Sequence, residues 1–227
     1  MSEYKLQHEF ISVIEKNTLT YGGAQQMSDI KSIQKCGCGI VAAADFFIYT
    51  HRNRPGCYAA MLDSTDHPEA IPVEKYNEIL KALNRKYFPL MVPFGLNGLA
   101  LVCGMNMFFR ANACPLRAQW GVKYNTLWQS IESMLKDDLP VIISVGKSFP
   151  FVWENNKLSL YTRFPNGNYN RVNSVRAHYM TVTAIDEEWL TVSSWGRKYY
   201  IRRSEYDAYT RYHSTGVLCN IAYVTKA

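Results

Sequence analysis

The chain has 227 residues, 48% of them apolar and 19% charged, with a formal net charge of +6. That is enough chain for one domain or two tightly packed lobes, and the composition excludes a disordered protein. No apolar run reaches the roughly 18 to 20 residues of a membrane helix. The first ten residues carry no apolar segment behind a positive end, so no signal peptide is read and a cytoplasmic location is expected.

Between Met1 and Tyr21 only a short polar helix fits, and no long inhibitory segment is read there. Tyr21-Gly22-Gly23-Ala24-Gln25-Gln26 follows as a turn that carries two glutamines. Lys35-Cys36-Gly37-Cys38-Gly39 then opens a helix from Ile40 to about Thr50 that is apolar nearly all round, hence buried. From Val73 to Tyr87, apolar residues at Val73, Tyr76, Ile79, Leu80, Leu83 and Tyr87 mark one face of an amphipathic helix, with Pro72 suited to its first turn. A third helix is expected from about Leu127 to Asp137, with Thr126 and Gln129 as a capping box and Leu127, Ile131, Met134 and Leu135 facing the core.

After Pro140 the pattern changes to strands. Val141 to Val145 is a short buried run, and Phe151-Val152-Trp153 with Leu158 to Tyr161 flanks a hairpin turn. Further strands are expected at His178 to Ala184, Trp189 to Ser194, Lys198 to Ile201 and Val217 to Val224. Helices first and strands second imply an α+β fold with segregated layers. The chain reads as a single domain over 1–227, helical over about 1–139 and β over about 140–227. The helix bearing Cys38 then packs against the sheet bearing His178, across a cleft.

Six cysteines are too few for a disulfide scaffold of this size. Cys57, Cys103, Cys114 and Cys219 read as ordinary small buried residues. Cys36 and Cys38 are one residue apart with no matching pair downstream, which does not fit zinc. The local excess of Arg197, Lys198, Arg202 and Arg203 reads as solvated positions flanking a strand, and no nucleic-acid partner is expected.

Chemistry concentrates at two points. Cys38 stands where a helix begins, and the positive end of the helix dipole favours its thiolate. Cys36 lies two residues earlier, in the turn, and is the weaker nucleophile candidate. Among five histidines, His178 is the one within a strongly alternating strand; His8 and His51 read as helix residues, His67 as loop and His213 as a polar turn. A thiol and an imidazole are the parts of a cysteine-nucleophile machine.

This order of motifs resembles the papain-like cysteine peptidase superfamily, and within it most closely the bacterial double-glycine, bacteriocin-processing peptidases. Cys36-Gly37-Cys38-Gly39 resembles the superfamily's Cys-Gly-x-Cys opening, one residue shorter. Pro140 to Ile143 before His178 to Val182 resembles the strand pair that delivers the histidine, and Ser193-Ser194-Trp195-Gly196 resembles Asn-Ser-Trp-Gly. The resemblance implies a nucleophile at Cys38, a base at His178, an imidazole-orienting residue at Ser193 covered by Trp195, and an oxyanion glutamine upstream. Ser32 occupies the papain spacing for that glutamine and has no amide. Gln34 is nearer, and Gln25, with Gln26 beside it, follows the turn at which this branch carries its glutamine.

The activity so implied is hydrolysis of a peptide or amide bond in a peptide or protein substrate through a thioester, with no cofactor. Thiol acyl transfer of the transglutaminase kind uses the same dyad. A peptide-binding module of the same fold with little turnover is the alternative that Ser193 raises.

Overall fold

Gly37 separates two helices, α1 (Lys31–Cys36) and α2 (Cys38–Asn53). The computed structural model describes residues 3–65, 70–90, 92–146 and 155–227. Helix α2 is buried from Gly39 through Thr50, as an all-round apolar sequence requires. Phe46, Phe47 and Ile48 are fully enclosed, and the Phe47 ring stacks on Phe108 with centroids 3.8 Å apart. Each such side chain contributes roughly 1.5–3 kcal/mol by leaving water.

Three short strands precede α1: β1 (Tyr4–Lys5), β2 (Val13–Glu15) and β3 (Thr18–Leu19). The expected N-terminal polar helix is thus replaced by strands. After α2 come β4 (Ile71–Pro72), α3 (Val73–Lys86), α4 (Gly98–Ala111), β5 (Leu116–Trp120) and α5 (Leu127–Lys136). Helices α2, α3 and α5 lie where the pattern placed them. Thr126 does not cap α5 with its side chain; its hydroxyl donates to the Lys123 carbonyl instead.

The remaining elements are β6 (Val141–Val145), β7 (Leu158–Arg163), β8 (Tyr169–Val175), β9 (His178–Ile185), β10 (Trp189–Ser194), β11 (Arg197–Arg202), α6 (Arg203–His213) and β12 (Ile221–Lys226). The expected strand at Phe151 to Trp153 and His67 lie outside the described residues. Leu158 to Arg163 pairs forward with β8. His8 and His213 also differ from expectation: the first lies outside a helix and the second ends α6.

The architecture is α+β. A large antiparallel sheet runs β5-β12-β6-β9-β10-β11-β7-β8, with β1 paired to the far end of β9. A small sheet orders β3-β2-β4. The split near residue 140 is incomplete, because β1 and β5 come from the first half and α6 from the second. Strand pairing ignores order in the chain: β1 bonds to β9 at Ala184 and Ile185, beyond the stretch of β9 that β6 covers.

Helix α2 packs on β9, which brings the helix start to the strand start. The basic cluster near the C-terminus is held locally. Arg202 pairs with Glu188 at 3.1 Å, and the Arg203 guanidinium lies over Trp128 at 4.9 Å. Cys57 and Cys114 form a disulfide, against the reading of both as free buried thiols, and Cys103 is exposed. Residues 57 apart in sequence carry no signal that their Cα atoms approach to 4.4 Å.

Candidate active site

Cys38 is the first residue of α2 and His178 the first of β9. Both line one cavity, which also takes in Gly95, Leu96, Trp120, Ala177 and Tyr179. Both also line a second, very small polar cavity with Gln25, Asp45, Ser193 and Ser194. The thiol and the imidazole therefore sit at the junction of two spaces, a wide one and a very small one.

Burial pushes the Cys38 thiol above its ordinary value, although the backbone N–H groups of Tyr179 and Gly39 pull in the other direction. Burial likewise lowers His178, to about 4. At neutral pH the resting pair is a thiol and a neutral imidazole, not an ion pair. A neutral imidazole is able to take a proton, the property a general base needs.

The imidazole is fixed on two sides. Its Nε2 lies 2.7 Å from Ser194 Oγ, and Trp195 stacks on the ring with centroids 4.5 Å apart. Trp195 and Gly196 have φ of 49° and 71° and form the two-residue turn between β10 and β11. Such a turn needs positive φ at both central positions, and a non-glycine residue there costs about 1–2 kcal/mol. The turn carries the indole over the imidazole.

Ser193 does not perform the orienting role expected of it. Its hydroxyl donates to the Tyr21 carbonyl at 2.7 Å. The register gives the reason. Ser193 pairs with Thr181 across β10 and β9, so the next residue, Ser194, falls on the face shared by Met180 and His178. The partner nitrogen is Nε2, so Nδ1 is not used in that bond.

Gln25 is half-buried and lines the small polar cavity; its Nε2 donates to the Gln34 carbonyl at 2.6 Å. One N–H of that amide remains for another acceptor. Gln26 is exposed, and Gln34 donates its amide to the Ser28 carbonyl at 2.7 Å. Of the three glutamines, Gln25 is the one at the cavity. Cys36 ends α1 and its thiol lies 3.2 Å from the Pro93 carbonyl, on the wall of the larger cavity.

Asp45 was not singled out by the sequence reading. It sits two turns along α2 from Cys38, 1% exposed, in an otherwise apolar helix. Its carboxylate accepts from the Tyr76 hydroxyl at 2.6 Å and from the Gly23 N–H at 3.1 Å. Burial raises it to about 7 against the pull of those hydrogen bonds. Gly22 has φ +74°, and a Cβ there would strike Ser193 and Asp45. The Gly22-Gly23 turn is thus pressed between α2 and β10 and delivers Gln25 to the cavity. A lone carboxylate in an apolar helix was the available signal.

Among the described residues, no group of three His, Cys, Asp or Glu side chains is placed to hold a metal ion. No helix among them is long and apolar enough to cross a membrane. Comparison with known proteins returns nothing: no protein-family model, no curated protein and no solved structure matches the chain.

Proposed function

We propose that this chain is a papain-like cysteine peptidase or amidase that works through a thioester acyl-enzyme. The observation that supports it most is the junction just described: a helix-start thiol and a strand-start imidazole open into the same cavities, and the ring is held by Ser194 and Trp195.

In this reading the Cys38 proton passes to His178 Nδ1 as the sulfur attacks the carbonyl carbon. The carbonyl electrons move to oxygen, and the oxyanion accepts from the Cys38 N–H and the free N–H of Gln25. One such donor typically contributes about 3 kcal/mol to the barrier. The C–N bond then breaks, and the leaving amine takes the proton from His178. Water, deprotonated by the same imidazole, cleaves the thioester and restores the thiol. Ser194 positions the ring and touches no substrate. Acyl transfer differs only in an amine replacing that water.

The neutral resting pair favours a second reading, a catalytically weak peptide-binding module, because little thiolate is present at rest. Mass spectrometry after exposure to 4-nitrophenyl acetate separates the two. A hydroxylamine-labile acetyl group on Cys38, absent from Cys38→Ala, supports the enzyme; no acetylation at Cys38 supports the module. The cytoplasmic reading has one observation against it, since the Cys57–Cys114 disulfide favours an oxidising compartment.

A further inference from the structure

The larger cavity beside the dyad has a volume of about 450 Å3. That lies within the roughly 300–1,000 Å3 range of small-ligand sites. Its outer rim exposes Phe94 at 84%, Leu99 at 70% and Val217 at 69%. Large apolar side chains so open to water, gathered at the mouth of a cavity, mark a binding surface.

The polar side chains of the walls are largely spent on the protein itself. Asn97 Oδ1 accepts from the Ala100 N–H at 2.8 Å, and Trp120 Nε1 donates to the Val217 carbonyl at 2.9 Å. Ser144 Oγ donates to the Leu218 carbonyl. Among the described lining residues, Lys35 is the only one that carries a charge at neutral pH. A peptide laid in this space brings an N–H and a C=O at every residue, and beyond the Tyr179 hydroxyl, the Asn97 amide and Lys35 few side chains are left to receive them. An alkyl chain brings none, and it gains from every methylene buried.

We propose, resting on the cysteine-amidase reading above, that this groove takes the acyl side of the substrate and that the acyl group is a linear aliphatic chain. The substrate class is then a fatty-acyl amide, whose carbonyl lies at Cys38 and whose chain runs outward past Trp120 to Phe94 and Leu99. The groove and the small cavity share Cys38 and His178, so the chain and the oxyanion of one acyl group have separate spaces to enter.

Two measurements test this separately from the chemistry. The first is calorimetric titration of the Cys38→Ala protein with dodecanamide and with acetamide. Saturable binding of dodecanamide alone, weakened at least tenfold by Phe94→Glu with Leu99→Glu, is the expected result; both residues are exposed, so the fold tolerates the change. No binding of dodecanamide, or equal binding to the double variant, overturns the proposal. The second is hydrolysis of acetyl, butyryl, octanoyl and dodecanoyl 4-nitrophenyl esters beside an ester of an apolar dipeptide. Cys38-dependent kcat/KM is expected to rise by up to about fourfold per methylene. A flat series, or preference for the dipeptide, overturns the acyl proposal and leaves the amidase standing. Dodecanamide binding without Cys38-dependent hydrolysis supports the groove and removes the amidase.

Discussion

On one side of Cys38 lie Gln25, Asp45, Ser193 and Ser194, around a space of about 10 Å3, room for roughly one water-sized group. On the other side lie Gly95, Leu96, Trp120 and Leu218, around about 450 Å3. The first wall is closely packed and threaded by hydrogen bonds, and its glycine turn has no space for a Cβ. The second is open and mainly apolar, and several of its polar side chains are bonded to the protein itself. A wall of the first kind fixes atoms to within a hydrogen bond, which proton transfer and oxyanion binding require. A wall of the second kind selects by area and shape. Substitutions on the two sides should therefore fail differently.

The largest effects are expected at the junction. Cys38→Ala removes the covalent chemistry of the site, and His178→Ala lowers acylation of Cys38 by 4-nitrophenyl acetate by about 10²–10⁴-fold, the usual contribution of a positioned base. Next comes Asp45→Ala, which leaves the Gly23 N–H buried without an acceptor and the Tyr76 hydroxyl only the Val41 carbonyl at 3.5 Å. Each such loss costs about 1–3 kcal/mol, so urea unfolding should show a fall of several kcal/mol, with Asp45→Asn milder. On the apolar side, a Cβ at Gly98 would enter the Trp120 ring. Gly98→Ala should cost about 1–3 kcal/mol as the indole is displaced, measured by the same unfolding.

Smaller effects separate the two serines. Ser194→Ala removes one hydrogen bond to the ring, worth roughly 1 kcal/mol, and should slow acylation by up to about tenfold. Ser193→Ala should change stability more than rate, since its hydroxyl holds the Tyr21 carbonyl. The reverse ranking, with Ser193→Ala slower than Ser194→Ala, would restore the orienting role to Ser193.

In the unaltered protein the smallest effect is in pH dependence. His178 is lowered from 6.5 to about 4, so it binds a proton more readily unfolded, and stability is lost as pH falls through that window. Asp45 is raised from 3.8 to about 7, so it binds a proton more readily folded, and stability is lost as pH rises. Between about pH 4 and 6.5 the two slopes oppose each other and leave little net dependence. Asp45→Asn should expose the histidine's rising slope, and His178→Gln the carboxylate's falling one, in unfolding measured across that range.

The two residues that meet at the cavity junction, Cys38 and His178, were legible in the sequence for local reasons. A Cys-Gly start to an apolar run and a histidine on an alternating strand need only short-range pattern. Ser194 was missed by one position because the facing residue depends on the register between β10 and β9, which slips at a bulge between Thr191 and Val192. Asp45 was hidden by the apolar run around it, and the Cys57–Cys114 pairing by its long separation. Helix α4 went unread although it is apolar enough to bury Leu101, Met105, Phe108 and Phe109. Its Gly98 start and internal Gly104 weaken the local helix signal. What sequence did not carry is which face a strand residue shares with a residue far away.

The central claim is that Cys38, poised by His178, is the reactive thiol of this chain. Its most direct test is limiting iodoacetamide at neutral pH, with the modified cysteine mapped by mass spectrometry in the unaltered protein and in His178→Ala. Cys103 is exposed and Cys36 lies on the same cavity wall, so both compete for the reagent. The account predicts Cys38 modified, and its rate falling at least tenfold in His178→Ala while that of Cys103 holds. Modification of Cys36 or Cys103 with Cys38 left untouched, or an unchanged Cys38 rate without the imidazole, would contradict it.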